Sequence, residues 1–123
     1  MAKAIEIYKC EVCGNIVEMV HTGQGELVCC GQSMVLQIVR DNEEGLTEKH
    51  KPVIKKGEST KITIGSVEHP MESGHFIEWI ELVKGENIQR IKLCPDDKPE
   101  AIFCVNDFDH ARAYCNIHGL WKD

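Results

Sequence analysis

Four cysteines near the start of the chain have the types and spacing of a metal site. They form the pattern Cys10-x2-Cys13 followed, after fifteen intervening residues, by Cys29-Cys30. Four thiolates are soft ligands that favour zinc or iron in tetrahedral geometry. Neighbouring side chains of a strand point to opposite faces, so the adjacent pair can share one ion only where the backbone turns, and Gly31 is consistent with a turn there. Spacing alone leaves both zinc and iron open.

Imidazoles and a thiol later in the chain form a second candidate set. They are His50, His69, His75, Cys115 and His118. Four imidazoles and one thiol are too many ligands for a closed tetrahedral zinc site, but they suit a five-coordinate redox iron with one position open. An open position predicts that a small molecule binds there.

The spacing of the two sets divides the chain into two predicted domains. The 123 residues have room for a small metal-stapled module and a domain of roughly 80 residues. Chains below about 40 residues usually need a metal, a disulfide or a partner to fold, and the four cysteines supply a metal site for residues 1–40. Asp41 to Gly45 is polar and turn-rich, which makes it the candidate linker. Residues 41–123 are therefore predicted to form the second domain.

Strand-like segments separated by turn signals dominate this second domain. They are Val53-Ile54, Lys61 to Val67, Phe76 to Val83, Ile88 to Leu93, Ala101 to Val105 and Ala111 to Cys115. Six or seven short strands predict an antiparallel β-sandwich, in which strand ends cluster at one edge and can bring distant residues onto a single ion. The stretch from Asp107 to Tyr114 has room for one short helical turn. Cys94 and Cys104, on or beside apolar runs, are expected to be small buried hydrophobes.

Charge and composition exclude several classes of protein. The formal net charge of −6 argues against a general nucleic-acid surface, because phosphate binding needs a basic face. No stretch approaches the about 18 apolar residues of a membrane span, and the Met-Ala-Lys-Ala-Ile-Glu start lacks an apolar signal core. Seven cysteines, an odd number, favour metal ligands over disulfides and predict a cytoplasmic protein with reduced thiols. One local excess of positive charge stands out, formed by five lysines against one glutamate: Lys49, Lys51, Lys55, Lys56, Lys61 and Glu58.

Several separated motifs carry a resemblance to known families. The Cys10-x2-Cys13-x15-Cys29-Cys30 module resembles desulforedoxin. Four other motifs resemble the superoxide reductases: Glu48-Lys49-His50, His69-Pro70-Met71, His75-x3-Trp79 and Cys115-Asn-Ile-His118-Gly-Leu-Trp121. Taken together, from about Tyr8 to Lys122, the chain resembles the desulfoferrodoxins, the two-iron superoxide reductases of anaerobic prokaryotes.

This resemblance implies an all-β fold in which a desulforedoxin-like module precedes an immunoglobulin-like antiparallel sandwich. It implies two irons per chain. The first is a rubredoxin-like iron held by four thiolates: Cys10, Cys13, Cys29 and Cys30. The second is ringed by four imidazoles with a thiolate as axial ligand: His50, His69, His75, His118 and Cys115. Glu48 would cap the oxidised iron, and Lys49 would be the cation at its open face.

The resemblance also implies an activity and partners. The enzyme would reduce superoxide by one electron to hydrogen peroxide, draw electrons from a rubredoxin-like donor and form a homodimer. Three other readings of the residues stay open: a non-catalytic electron carrier centred on the cysteine module, a zinc ribbon fused to a binding sandwich, and a dismutase. Superoxide consumption after mutation of Cys13 tests the first reading, metal content tests the second, and release of dioxygen tests the third.

Overall fold

The computed structural model describes residues 5–123, so the first four residues of the predicted 1–40 module lie outside the described part. The chain divides into two compact units between Ile38 and Val39. Almost all regular structure is β, as predicted. Among the described residues, no helix is both long and apolar enough to cross a membrane.

The first unit consists of short antiparallel strands. Its three-stranded sheet has the order β2-β1-β5, and β3 and β4 form a separate hairpin. The strands are β1 (Ile7–Lys9), β2 (Ile16–Glu18), β3 (Val28–Cys29), β4 (Gln32–Ser33) and β5 (Val35–Leu36). Ile7 and Cys10 are its buried apolar residues among those described. So small a core leaves little hydrophobic stabilisation for this unit.

The second unit is a sandwich of seven strands with one helical turn. The turn is α1 (Thr47–His50), and the strands are β6 (Pro52–Lys56), β7 (Thr60–Ile64), β8 (Ile77–Lys84), β9 (Asn87–Lys92), β10 (Glu100–Phe103), β11 (His110–Cys115) and β12 (Gly119–Lys122). One sheet has the order β10-β7-β6 and the other β12-β11-β8-β9, with antiparallel pairing throughout. This matches the predicted antiparallel sandwich.

Alternation along the strands builds the core of the sandwich. Ile62 and Ile64 of β7 are fully buried, as is Ile80 of β8. The small residues Ala111 and Ala113 of β11 share this core and are followed on the same face by Cys115. Residues two apart on a strand share a face, so the pattern that buries the alanines also directs the Cys115 thiol inward.

The opposite face of the larger sheet holds a second layer of buried side chains. Trp79 of β8 stacks on Tyr114 of β11, with ring centroids 4.6 Å apart. Glu81 is fully buried and accepts hydrogen bonds from Arg112 at 2.7 Å and Arg90 at 2.7 Å. A buried carboxylate is tolerated when cations and donors surround it in this way.

Three expectations from the sequence are wrong. Residues 110–115 form β11, so the helical turn expected within Asp107 to Tyr114 is absent, and the helical turn of the described chain is α1 instead. Cys94 and Cys104 are exposed, not buried. For Cys104 the reason is the alternation of side chains along a strand. Ala101 and Phe103 of β10 face the core, so the side chain of the next residue points outward.

Candidate metal centres

The four cysteines of the first unit lie together. Their sulfur atoms are all within 4.8 Å of one another. The Sγ atoms of Cys13 and Cys29 are 3.6 Å apart, and those of Cys29 and Cys30 are 3.9 Å apart. These separations match the edge of about 3.8 Å in a tetrahedron whose metal–sulfur bonds are about 2.3 Å long. The set can therefore hold one tetrahedral ion.

A tight turn brings the adjacent pair onto one side, as the sequence predicted. Cys30 has φ of 52° and Gly31 has φ of 74°, between strands β3 and β4. Two successive positive φ values are typical of a two-residue hairpin turn. This left-handed turn brings the Cys30 sulfur close enough to that of Cys29 for the two to share an ion.

The pKa values of these thiols are also consistent with a bound cation. The backbone N–H of Cys13 lies 3.5 Å from the Cys10 sulfur and lowers the pKa of Cys10 to about 7. The neighbouring Cys13 thiol raises the pKa of Cys30 to about 12. Four thiolates this close repel one another, so without a cation only part of the set ionises.

Four imidazoles of the second unit close a square. Successive ring centroids are 4.6 Å (His50 to His69), 4.8 Å (His69 to His75), 5.2 Å (His75 to His118) and 4.7 Å (His118 to His50) apart, and each pair is edge-on. The elements that supply them are α1, the β7–β8 connection and the β11–β12 turn. Residues up to 68 positions apart in sequence thus meet, which no local motif could achieve.

The tautomers of His50 and His69 indicate a cation between them. The Nδ1 atom of His50 lies 2.8 Å from the Leu46 carbonyl oxygen, and that of His69 lies 2.6 Å from the Pro70 carbonyl oxygen. A carbonyl oxygen only accepts, so each Nδ1 carries the proton and each Nε2 presents a lone pair. These two Nε2 atoms are only 3.1 Å apart. Facing lone pairs repel, and a shared metal ion removes the repulsion.

Burial favours the neutral form of three of these rings, and the neutral form is the one that binds a metal. It lowers the pKa of His50 and His118, and it lowers the pKa of His69 to about 4. His75 adds a further sign: its Nε2 is buried and has no hydrogen-bond partner among the described residues. A buried ring nitrogen without a partner is unusual unless a ligand or ion meets it. Both observations fit a divalent metal.

Cys115 places a thiol beside the square of imidazoles. Its side chain is fully buried, and one ligand atom each from His50, His69, His75 and Cys115 lies within 4.8 Å of the others. The backbone N–H of His118 donates to the Cys115 sulfur at 3.4 Å, and Nδ1 of His118 lies 3.8 Å from that sulfur. Burial raises the pKa of the Cys115 thiol, so a bound cation would have to displace its proton.

Glu48 and Lys49 stand directly before His50 on α1, and both are exposed. Their backbone is held by the turn after β7. The Val67 N–H donates to the Glu48 carbonyl oxygen at 3.0 Å, and the Ser66 hydroxyl donates to the same oxygen at 3.2 Å. The main chain here is fixed while both charged side chains remain free to reach a ligand.

Gly65 allows this close approach. Its φ is +85°, and a Cβ built on it would clash with the Val67 carbonyl oxygen and lie 2.7 Å from the Lys49 carbonyl oxygen. No side chain fits, so this position requires glycine. The sequence prediction treated Lys61 to Val67 as one strand, although a glycine inside a strand pattern often marks such a contact.

Other supporting groups lay outside the sequence prediction. The carbonyl groups of Leu46 and Pro70 orient two imidazoles, but backbone acceptors leave no mark in a sequence. Asn116 accepts the Phe76 N–H at 2.9 Å and donates to the Gly74 carbonyl at 3.1 Å, which ties down the segment around His75. An asparagine between Cys115 and His118 was a visible signal for this role.

Two family models match the chain. The model described as Desulfoferrodoxin matches residues 42–123, and that described as Desulfoferrodoxin, N-terminal domain, matches residues 2–37. The desulfoferrodoxin homolog of Archaeoglobus fulgidus is 53% identical over 124 residues, covering 99% of this chain and 98% of the relative. The desulfoferrodoxin of Nitratidesulfovibrio vulgaris is 52% identical with the same coverage. These likenesses extend over both units.

A solved structure also matches over the whole length. The superoxide reductase from Treponema pallidum has a TM-score of 0.77 and 26% identity, covering 100% of this chain and 99% of that one. The fold of that structure agrees with the two-unit, nearly all-β architecture described above.

Proposed function

The chain belongs to the desulfoferrodoxin family, and on that premise we propose that it is a superoxide reductase, which reduces superoxide by one electron to hydrogen peroxide. The reaction consumes one electron and two protons for each superoxide, so a small external electron donor must restore the enzyme. The observation that carries the proposal is the closed square of four imidazoles beside a buried thiol.

Two irons per chain fit the donor sets described. The four thiols of the first unit would hold one: Cys10, Cys13, Cys29 and Cys30. Four imidazoles and one thiol would hold the other: His50, His69, His75, His118 and Cys115. Iron bound at this second site would supply the electron for superoxide. Imidazoles bound in their neutral form would add no charge there, while the thiolate of Cys115 would add electron density to the metal.

Lys49 and Glu48 are proposed to act at the open side of this centre. The exposed ammonium of Lys49 attracts the superoxide anion and stabilises negative charge as the product forms. The carboxylate of Glu48, next to it on the same turn, would serve as a ligand of the oxidised iron when no substrate is present. The fixed backbone beneath both residues supports these roles, because it limits where either side chain can reach.

Four further features of the protein are proposals that rest on the resemblance and composition. Residues 1–40 would form the tetra-cysteine module and residues 41–123 the superoxide reductase domain. The donor would be a rubredoxin-like protein, and the enzyme would be a homodimer. Its seven free cysteines favour a reducing, cytoplasmic location.

Superoxide consumption with product analysis tests the function. The iron-loaded, anaerobically reduced protein should yield one hydrogen peroxide per superoxide, without dioxygen above the protein-free control. Cys13→Ser should lose the tetra-thiolate absorption and keep this reaction, whereas Cys115→Ser should lose the reaction and keep that absorption. Catalytic dioxygen release would identify a dismutase instead. Loss of the reaction in Cys13→Ser alone would assign the chemistry to the first unit.

A further inference from the structure

We propose that Trp121 is a positioning residue that holds two of the imidazoles of the second centre at once. The inference rests on the ligand set proposed above and adds a residue that is not itself a ligand. Its indole is 1% exposed and lies in β12, three residues after His118. The ring face meets one imidazole, and the ring nitrogen meets the backbone that carries another.

The first contact is a ring stack. The indole of Trp121 lies 4.9 Å from the His50 imidazole, centroid to centroid, with 23° between the planes. All the other contacts of the His50 ring with its neighbouring rings are edge-on. The stack therefore fixes the plane of the imidazole, while the Nδ1 contact with the Leu46 carbonyl fixes its rotation. Together they aim Nε2 into the square.

The second contact is a hydrogen bond to the turn that carries His118. The Nε1–H of Trp121 donates to the His118 carbonyl oxygen at 3.2 Å. Gly119 follows with φ of +84°, so the chain reverses sharply at this point. The same turn directs the His118 N–H at the Cys115 sulfur. Losing the indole donor would free the turn and disturb the imidazole and the sulfur contact together.

Trp121 is itself firmly placed, as a positioning residue must be. It pairs with Ala113 in the β11–β12 ladder. On its other side the Arg40 N–H donates to the Leu120 carbonyl at 2.9 Å, and the Lys122 N–H donates to the Arg40 carbonyl at 2.8 Å. The Arg40 guanidinium also lies over the indole, 5.9 Å from its centroid. Main-chain bonds therefore hold this strand from both sides.

The chain offers a matched control in its other tryptophan. Trp79 is also buried in the same sheet, but it stacks on Tyr114, and its Nε1 has no hydrogen-bond partner within residues 5–123. Replacing Trp79 by Phe removes an indole of the same kind without touching either imidazole. Comparing the two sites separates support of the centre from general packing of the sheet.

The experiment compares Trp121→Phe, Trp121→Leu and Trp79→Phe in the full, iron-loaded protein. We would measure the visible sulfur-to-iron band of the oxidised second centre and the rate of ferrous iron loss to a chelator, using the tetra-thiolate absorption as internal reference. Supporting groups around metal ligands typically change affinity about 10- to 100-fold. We expect Trp121→Leu to lose iron about ten-fold faster. Trp121→Phe, which keeps a stacking ring, should shift the sulfur band with a smaller gain in the release rate.

Each outcome decides the proposal. Parent-like band and release rate in Trp121→Phe, or equal changes in Trp79→Phe, would overturn it. If Trp121→Leu does not fold, the band of Trp121→Phe alone decides. A parent protein without a sulfur-to-iron band would instead count against the proposed ligand set, so the two failures are distinguishable.

Discussion

The two candidate centres are built in opposite ways. The tetra-cysteine set lies within 21 residues of sequence, from Cys10 to Cys30, on a unit whose described core is Ile7 and Cys10. The second set runs from His50 to His118, and the core of a seven-stranded sandwich positions its members. In the first unit the ion would organise the chain, whereas in the second the chain organises the site for the ion.

The contrast extends to the donor atoms. Cys13 and Cys30 are exposed, and their unit offers few side chains to orient them. His50, His69 and Cys115 are buried, and carbonyl groups or backbone N–H groups contact each of them. A centre that is oriented before the ion arrives can keep one position open for chemistry, while a centre closed by the ion itself is suited to holding an electron.

Metal removal should give the largest difference between the two units. Stripping both ions should unfold residues 5–38, because thiolate–metal bonds replace a hydrophobic core there. Residues 39–123 should stay folded on their own core. Amide chemical-shift dispersion measured by NMR, before and after chelation, would show this residue by residue. Adding zinc back should restore the first unit, and dispersion retained at residues 5–38 without metal would contradict the contrast.

Gly65→Ala should damage the second centre without touching the first. The added methyl must displace the backbone at Lys49 or Val67, and a misplacement of about 1 Å near a reacting group can cost about 100-fold in rate. We expect the superoxide rate constant, measured by pulse radiolysis, to fall by at least about ten-fold. Gly57→Ala, in the β6–β7 hairpin, meets only an ordinary contact at 3.7 Å and should match the parent. Equal rates in the two variants would show that the close approach of Gly65 to Lys49 and Val67 does not affect the reaction.

Lys49→Ala should have a smaller effect that depends on salt. Removing one cation at the open face should slow capture of superoxide by about three-fold at low ionic strength and flatten its salt dependence. Lys55→Ala removes the same charge from an exposed position of β6 and should change the rate less. Indistinguishable salt curves for these two variants would indicate a general field instead of a local role.

The smallest expected effect is a pH dependence of the metal-free second unit. Burial lowers the pKa of His69 from 6.5 to about 4, and those of His50 and His118 also fall. Between pH 6.5 and about 4 the unfolded chain therefore binds protons that the folded chain does not, so folding stability decreases as pH falls through that window. Urea midpoints at pH 7 and pH 5 would measure the decrease, and His69→Gln should reduce it.

Much of the molecule could be predicted from its sequence because its signals are local. Strand-like runs separated by turn signals located the strands from β6 to β11, and the Cys29-Cys30-Gly31 sequence predicted the turn that the structure has. Candidate ligands followed from residue type and from family resemblance. The square of imidazoles itself depends on strand order and register, which only the folded chain supplies.

The missed features are those whose cause is distant in sequence. The helical turn α1 has four residues, too few for a 3.6-residue period to show. The role of Gly65 depends on a backbone carbonyl sixteen positions earlier, at Lys49. Cys104 faces outward because the buried residues of β10 determine which side chains point to the core. The apolar character of Cys104 itself does not determine its burial.

The position of β12 has a consequence for biosynthesis. His118 and Trp121 are synthesised after the other residues of the two candidate centres, and Arg40 at the start of the second unit is bridged to Trp121. Domains tend to fold in order of synthesis. The cysteine set can therefore bind its ion on the nascent chain, whereas the second candidate centre is complete only after residue 121 has been synthesised. A translation product truncated before residue 121 should therefore show only the visible absorption of the tetra-thiolate centre.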